Sequence, residues 1–321
     1  IDYGDGPGDV RPALTGTGTL TFSHVYSVAG EMTVTVRVID PTFTTGTATT
    51  SITVKAVDIT SDAVLTEMPW LQNVYTNRFS VMCEAAQDYP GLQLQWGEDF
   101  ANTTPFTSEI AATGRYIFTA RVTVENQEGA EIPCRLAMNG LPLTGTSTAR
   151  TVKLWSNETN PNGFTAVVWG DNQQGGLAGD WDADKFAYVT SIFNHMLTRN
   201  PDFGISTGDM ASSADYANQI SPLILQRTNR ILGQQVPYYV AFGNHDTSYP
   251  ENRKYFSNPS ENDPAYGTPG EGNFYLYRDN VLMVFLDNKI YTSTDTQTWL
   301  ANVLGSERAQ AAKFRLVFVH V

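Results

Sequence analysis

Four apolar runs in the second half of the chain each end in a group able to hold a cation. Residues 164–169 (Phe-Thr-Ala-Val-Val-Trp) lead into Gly170-Asp171-Asn172-Gln173. Residues 203–207 lead into Gly208-Asp209, residues 238–242 into Gly243-Asn244-His245-Asp246, and residues 315–319 into His320. Together these ends offer two carboxylates, an amide oxygen and an imidazole. A glycine precedes three of the four sets, which permits a sharp turn and close backbone approach to an ion or a phosphate.

Chemistry of this kind requires the four ends to meet. Apolar runs of such length read as buried strands, and in α/β folds ligands collect where the carboxyl ends of the strands emerge. The strands are interleaved with helical patterns. Residues 183–197 carry Phe186, Val189, Ile192, Phe193 and Met196 as a stripe at helical spacing, and further helices are expected at 219–232 and 296–304. Residues 156–321 therefore read as an α/β domain. His195 on the first of these helices has no carboxylate at ligand spacing and reads as structural. Tyr238, Tyr239, Tyr255, Tyr266, Tyr275 and Tyr277 read as core or rim packing, with lining of a cleft as the alternative, and the Pro- and Gly-rich stretch 258–272 reads as a loop beside the site.

The first half has another character. Residues 1–57 are rich in Thr and Gly, and residues 32–38 alternate strictly, as a strand with one buried face does. A second strand at 49–54 completes the signal for a small β-sandwich. Residues 58–155 read as a second β-domain with strands at 79–83, 116–124 and 134–138.

Composition narrows the function. The 321 residues include 33 acidic and 20 basic side chains, a net charge of −13. That balance speaks against a nucleic-acid backbone or an anionic membrane as partner, since both need clustered Lys and Arg. The longest apolar run, 281–286, is far short of a membrane span. Both termini read as cuts within a longer polypeptide, with any signal peptide or anchor outside it. Two cysteines, Cys83 and Cys134, are compatible with one disulfide and too few for a thiolate metal cluster.

Three resemblances follow from these residues. Asp2-Tyr3-Gly4-Asp5-Gly6, His24-Val25-Tyr26 with Gly30, and the alternating strand ending at Asp40 resemble a polycystic kidney disease (PKD) type domain, an extracellular spacer or adhesive module. Asp2, Asp5 and Asp9 could bind calcium there; we read them as turn builders, and His24 as a packed strand residue. Met68-Pro69-Trp70-Leu71-Gln72 and the strands after it resemble the fibronectin-III-like domain that precedes the catalytic domain of purple acid phosphatases. In such an Ig-like sandwich Cys83 and Cys134 fall on facing strands, and a core-crossing disulfide is expected, with two buried free thiols as the alternative. Asn102-Thr103-Thr104 and Asn157-Glu158-Thr159 fit the glycosylation acceptor pattern.

The four strand-terminal sets, in order, resemble the motifs of calcineurin-like metallophosphoesterases, and Phe285-Leu286-Asp287, Gln297 and Trp299-Leu300 also fit that family. The expected architecture is thus multidomain: two all-β Ig-like sandwiches, then an α/β domain built as a β-sheet sandwich flanked by helices and incomplete at its C-terminus. The resemblance implies two metal ions. Asp171 would bind the first, Asp209 would bridge both, and Asn244 and His320 would bind the second. Mixed oxygen and nitrogen donors suit Fe, Zn or Mn better than Ca or Mg. The ions would acidify a bridging water, whose hydroxide attacks the phosphorus of a phosphate mono- or diester. Asn244 and His245 would contact substrate. His245 would act at the leaving group as general acid or charge stabiliser, with Asp246 fixing its orientation.

Two positions depart from the family pattern. Gln173 stands where many members have a metal-binding His, and either coordinates through its amide oxygen or contacts water. Ser212 stands where purple acid phosphatases have a metal-binding Tyr, and Tyr216 lies farther along. The family's final Gly-His-x-His motif is absent from the given residues and is expected in the polypeptide that would follow them. The expectation is an exported phosphoesterase acting on a phosphorylated small molecule, outside the cytoplasm, with the β-domains serving surface attachment or self-association. The rivals are an adhesive surface protein with a degenerate phosphoesterase domain, and a phosphate- or nucleotide-binding protein without turnover.

Overall fold

The computed structural model describes residues 1–4, 19, 21, 24, 30–39, 42, 44–54, 61–112, 114–145, 149–156, 163–173, 183–259 and 272–320. Asp5, Asp9, Val25, Tyr26, Asp40, Asn157, Tyr266 and most of the loop 258–272 lie outside the described residues, so those expectations are left where the sequence put them.

Strands β1 (Gly30–Ile39) and β2 (Thr45–Val54) form an antiparallel ribbon in unbroken register. The alternation of residues 32–38 is realised at one end, where Met32 and Val34 are buried. Asp2 pairs with Thr35, and its Oδ1 accepts the Gly4 N–H at 2.9 Å, the local turn that a short carboxylate favours. His24 stacks on Tyr3 with centroids 3.9 Å apart but is exposed and outside any strand, not the packed strand residue expected.

After helix α1 (Ser61–Val64) come β3 (Leu65–Gln72), β4 (Arg78–Ala85), β5 (Leu92–Trp96), β6 (Asn102–Pro105), β7 (Thr107–Ala112), β8 (Arg115–Thr123), β9 (Glu131–Met138), β10 (Leu141–Pro142) and β11 (Ala149–Lys153). Then follow β12 (Ala166–Trp169), α2 (Ala183–Leu197), β13 (Phe203–Ser206), a π-helix (Tyr216–Gly233), β14 (Tyr238–Val240), α3 (Asn244–Ser248), α4 (Pro250–Arg253), β15 (Phe274–Arg278), β16 (Val281–Leu286), α5 (Thr294–Gly305), α6 (Glu307–Ala311) and β17 (Phe314–Val319).

The expected boundary near residue 155 does not divide the sheet. Seven strands run in the order β12-β13-β14-β3-β4-β8-β7. Parallel β12, β13 and β14 are joined to β3 through the pairing of Tyr238 with Gln72. Side-chain alternation gives this sheet two apolar faces. Leu71, Val81, Cys83, Phe118, Phe203, Ile205 and Tyr239 point to one core; Trp70, Met82, Ile117, Val167, Tyr238 and Val240 point to another.

The first core is closed on one half by the sheet of β5, β6, β9, β10 and β11, and on the other by the three-stranded sheet β15-β16-β17. The second core is covered by α2 and the π-helix, through Phe193, Ile220, Ile224 and Leu232. On the outer face of β15-β16-β17, Leu282 and Val284 pack on Val303 and Ala309 of α5 and α6. The C-terminal half is therefore a helix–sheet–sheet–helix sandwich, as expected, and the strand-rich region before it shares its sheet.

Three further expectations are corrected. Cys83 on β4 and Cys134 on β9 share the first core but are free buried thiols, so the disulfide is not formed. They pack as small apolar side chains, and burial pushes the Cys134 thiol up to about 12 and Cys83 higher still, with the Arg150 guanidinium in electrostatic reach of both. The stripe on α2 is narrower than the spacing implied: Phe193 is buried, but Ile192 is 54% exposed. Lastly, the helix expected at 219–232 winds with bonds to the fifth residue back. The Ile220 N–H donates to Asp215 O at 3.0 Å and the Gln234 N–H to Asn229 O at 2.8 Å. Thr228 Oγ1 repeats that step, donating to Leu223 O at 3.1 Å. The wider turn keeps Gln219, Ile220, Ile224, Thr228 and Asn229 buried together.

Tyr238, Tyr239, Tyr255 and Tyr277 are buried and Tyr275 half-buried, the packing role expected of them. The Tyr239 hydroxyl donates to Val74 O and the Tyr238 hydroxyl to Asn229 Oδ1. Asn102 is exposed on β6, and its Nδ2 donates to Trp96 O at 3.3 Å.

Candidate metal centre

Parallel pairing of β12, β13 and β14 puts residues 170–173, 207–209 and 241–246 at one rim. Backbone bonds stitch these loops together. The Thr207 N–H donates to Trp169 O at 2.7 Å, Asp171 N–H to Gly208 O at 3.0 Å, Gln173 N–H to Asp209 O at 3.1 Å, and Ala241 N–H to Ser206 O at 2.9 Å. The fourth loop is tied on by Asn288 at the end of β16. Its N–H donates to Phe242 O at 3.0 Å and its Nδ2 to His320 O at 2.8 Å.

Both carboxylate-bearing residues sit in the left-handed region, Asp171 at φ 53° and Asp209 at φ 56°. Such backbone costs about 1–3 kcal/mol per residue and persists only where neighbours hold it. Asp246 does the holding. It is fully buried, and its carboxylate accepts Asp209 N–H at 2.7 Å, Met210 N–H at 3.0 Å and Gly243 N–H at 3.0 Å. Burial pushes its carboxyl up to about 6, against the three N–H donors that favour the charged form. The glycines make this approach sterically possible. A Cβ on Gly208, at φ 109°, would lie 2.6 Å from Ala241 O, and one on Gly243 would lie 2.1 Å from Asp209 Oδ1.

Three of the expected ligands come together. One ligand atom each from Asp171, Asp209 and His320 lies within 4.8 Å of the others. His320 Nε2 is 3.2 Å from Asp209 Oδ2 and 3.9 Å from Asp171 Oδ1. His320 Nδ1 lies 3.2 Å from Thr207 O. A carbonyl only accepts, so Nδ1 carries the hydrogen and Nε2 is the atom turned to the carboxylates, the tautomer of a metal-binding imidazole. Asp209 Oδ1 accepts the His245 N–H at 2.9 Å.

Gln173 joins the group, donating from Nε2 to Asp209 Oδ2 at 2.8 Å, while its buried Oε1 has no hydrogen-bond partner among the described residues. An orphaned carbonyl oxygen beside two carboxylates and an imidazole nitrogen fits a cation. Asn244 stands at the same rim, exposed, and no described residue bonds to its side chain.

The roles assigned around His245 change. Asp246 does not orient its ring: the Asp246 oxygens are taken by the three backbone N–H groups. The ring is held by Ser212 O, 2.9 Å from Nδ1. Tyr216 is turned away from the rim, its hydroxyl donating to Glu84 Oε1 at 2.7 Å. His195 stays outside the site, with Nε2 3.3 Å from Arg199 Nη2. The carbonyls of Thr207 and Ser212 escaped sequence reasoning because an acceptor on the main chain has no residue signature.

The match to known proteins agrees with this geometry. No curated protein matches the chain. Residues 164–315 match the family model described as calcineurin-like phosphoesterase; the match contains Asp171, Asp209, Asn244, His245 and Asp246, and His320 follows just beyond it. This stretch is thus similar to calcineurin-like phosphoesterase domains, and the likeness suggests metal-dependent chemistry on phosphoesters.

Proposed function

We propose that the chain hydrolyses phosphate mono- or diesters at a centre holding two metal ions, Fe, Zn or Mn. The observation that carries this reading is the meeting of Asp171, Asp209 and His320 at one rim, from segments 38 and 111 residues apart, beside the orphaned Gln173 oxygen. When bound, the metals supply an acidified water and positive charge for the phosphoryl oxygens.

The chain's own residues supply the rest. Asp209 presents both carboxylate oxygens, with Oδ1 steadied by the His245 N–H. Asp171 would hold one ion, with Gln173 through its amide oxygen, and His320 the other, with Asn244 turning its exposed side chain to that ion or to substrate. His245, with Nδ1–H fixed on Ser212 O, gains and loses its proton at Nε2, the atom free to serve a leaving group. The acidic net charge is no obstacle, because the metals set the local field.

We read residues 1–57 as PKD-like, the β-rich region after it as fibronectin-III-like, and the protein as exported, with its β-rich part serving attachment or self-association. Among the described residues no helix is long and apolar enough to cross a membrane. The test is phosphate release from an aryl phosphate. Activity should vanish with chelator, return with Mn²⁺ or Zn²⁺, and drop at least 100-fold in Asp209→Asn. A folded protein that binds metal without turnover would favour the phosphate-binding rival, for which the Gln173 amide already bonded to Asp209 is the supporting observation.

A further inference from the structure

Between Asp209 and the π-helix the chain runs through a short loop whose main chain is fastened at several points. Asp246 holds the N–H groups of Asp209 and Met210. Asp215 caps the helix, its Oδ1 accepting the Asn218 N–H at 3.1 Å. Between them, the Ser212 N–H donates to Gln219 Oε1 at 2.8 Å. Gln219 lies in the first turn of the π-helix and is only 4% exposed, so its amide has little freedom to swing away. The other end of the Ser212 residue, its carbonyl, receives His245 Nδ1 at 2.9 Å.

We infer that Gln219 is a positioning residue for His245, acting through Ser212. By anchoring the N–H side of Ser212 it steadies the residue whose carbonyl lies opposite Nδ1, and so holds the ring in the Nδ1–H form with Nε2 facing outward. Among the described residues no group bonds to Nε2. Without the Gln219 oxygen the half-buried Ser212 N–H loses this bond, the Ser212 residue is held less firmly, and the ring is released to either tautomer and to other rotamers. The Ser212 carbonyl here performs the orienting task that a carboxylate would otherwise do, without adding a charge next to the metal centre. This inference rests on the phosphoesterase reading only for its kinetic part; the tautomer stands independently of turnover.

The chain has four histidines, so ¹⁵N-histidine spectra are assignable by a His245→Asn difference. Spectra would be recorded on the full chain loaded with Zn²⁺ at about pH 9, where imidazole is neutral. Wild type should show His245 with a protonated Nδ1 and an unprotonated Nε2. Gln219→Leu should give a mixture of tautomers, with kcat on an alkyl phosphate about tenfold lower and with KM and Zn²⁺ stoichiometry unchanged. Gln219→Glu, which keeps an oxygen at the same reach, should restore both readouts. A protonated Nε2 in wild type overturns the inference whether or not any variant folds. So does a Gln219→Leu spectrum identical to wild type, or a Gln219→Glu protein as impaired as the leucine variant. Absence of turnover in wild type with the expected tautomer would instead count against the phosphoesterase reading alone.

Discussion

At the residue scale, the site depends on one carboxylate that touches no substrate. Asp246 spends its acceptors on three N–H groups and thereby keeps Asp209 in a left-handed conformation. Asn in its place would set an N–H₂ against one of those donors, a loss of about 1–3 kcal/mol. Asp246→Asn should lower the thermal midpoint of the metal-free protein and weaken Zn²⁺ binding, both readable by calorimetry. Its titration gives a second handle. The carboxyl is raised from 3.8 to about 6 in the fold, so the folded protein keeps the proton longer than the unfolded chain. As pH rises from about 4 to about 6 the unfolded state ionises first and stability falls, by about 3 kcal/mol from this group, then levels. Urea midpoints of metal-free wild type across that window should show the fall, and Asp246→Asn should flatten it. Gly243→Ala places a methyl 2.1 Å from Asp209 Oδ1. It should cost at least tenfold in metal affinity, measured by titration calorimetry.

At the element scale, the strands and the groups at their ends were legible in the sequence, because apolar runs closed by Gly-Asp, Gly-Asn-His-Asp or His leave few alternatives. Asp171, Asp209 and His320 meet where strand polarity sends them. The π-helix was not legible: its apolar residues satisfy a 3.6-residue period closely enough to pass for an α-helix, and only the bonds to Asp215 O and Asn229 O tell the two apart. Nor was the pairing of Tyr238 with Gln72, since pairing between distant strands leaves no local pattern. The π-helix also brings Arg230 to Glu67 of β3, with Nη2 and Oε1 2.6 Å apart. Burial raises the Glu67 carboxyl despite this partner, whose own side chain is 54% exposed. Solvent screening limits the pair to about 1 kcal/mol. Arg230→Ala should therefore destabilise modestly near neutral pH and less in acid, where the raised Glu67 carboxyl more readily takes up a proton and needs no partner; chemical denaturation at two pH values checks this.

At the scale of the whole molecule, the shared seven-stranded sheet makes the β-rich region and the C-terminal half one body. The first core contains Val81, Cys83 and Leu136 together with Phe203, Tyr239 and Phe285. Residues 61–320 should melt in a single calorimetric transition, with calorimetric and van't Hoff enthalpies equal. Residues 156–320 alone should fail to fold, having lost β3 and most of that core. Two separated transitions would restore the boundary that the sequence suggested.

The same joint sets an order of events at the ribosome. Tyr239 reaches Val74 across 165 residues, so β3 must be synthesised long before the strand that completes its edge. Until β14 emerges, a nascent chain of β3, β4, β7 and β8 offers an open edge and the uncovered side chains of Trp70, Met82 and Ile117. Open edges and bare apolar surface are where growing chains stick to one another. The protein should thus refold slowly from urea and gain yield from a chaperone that shields this half-built face.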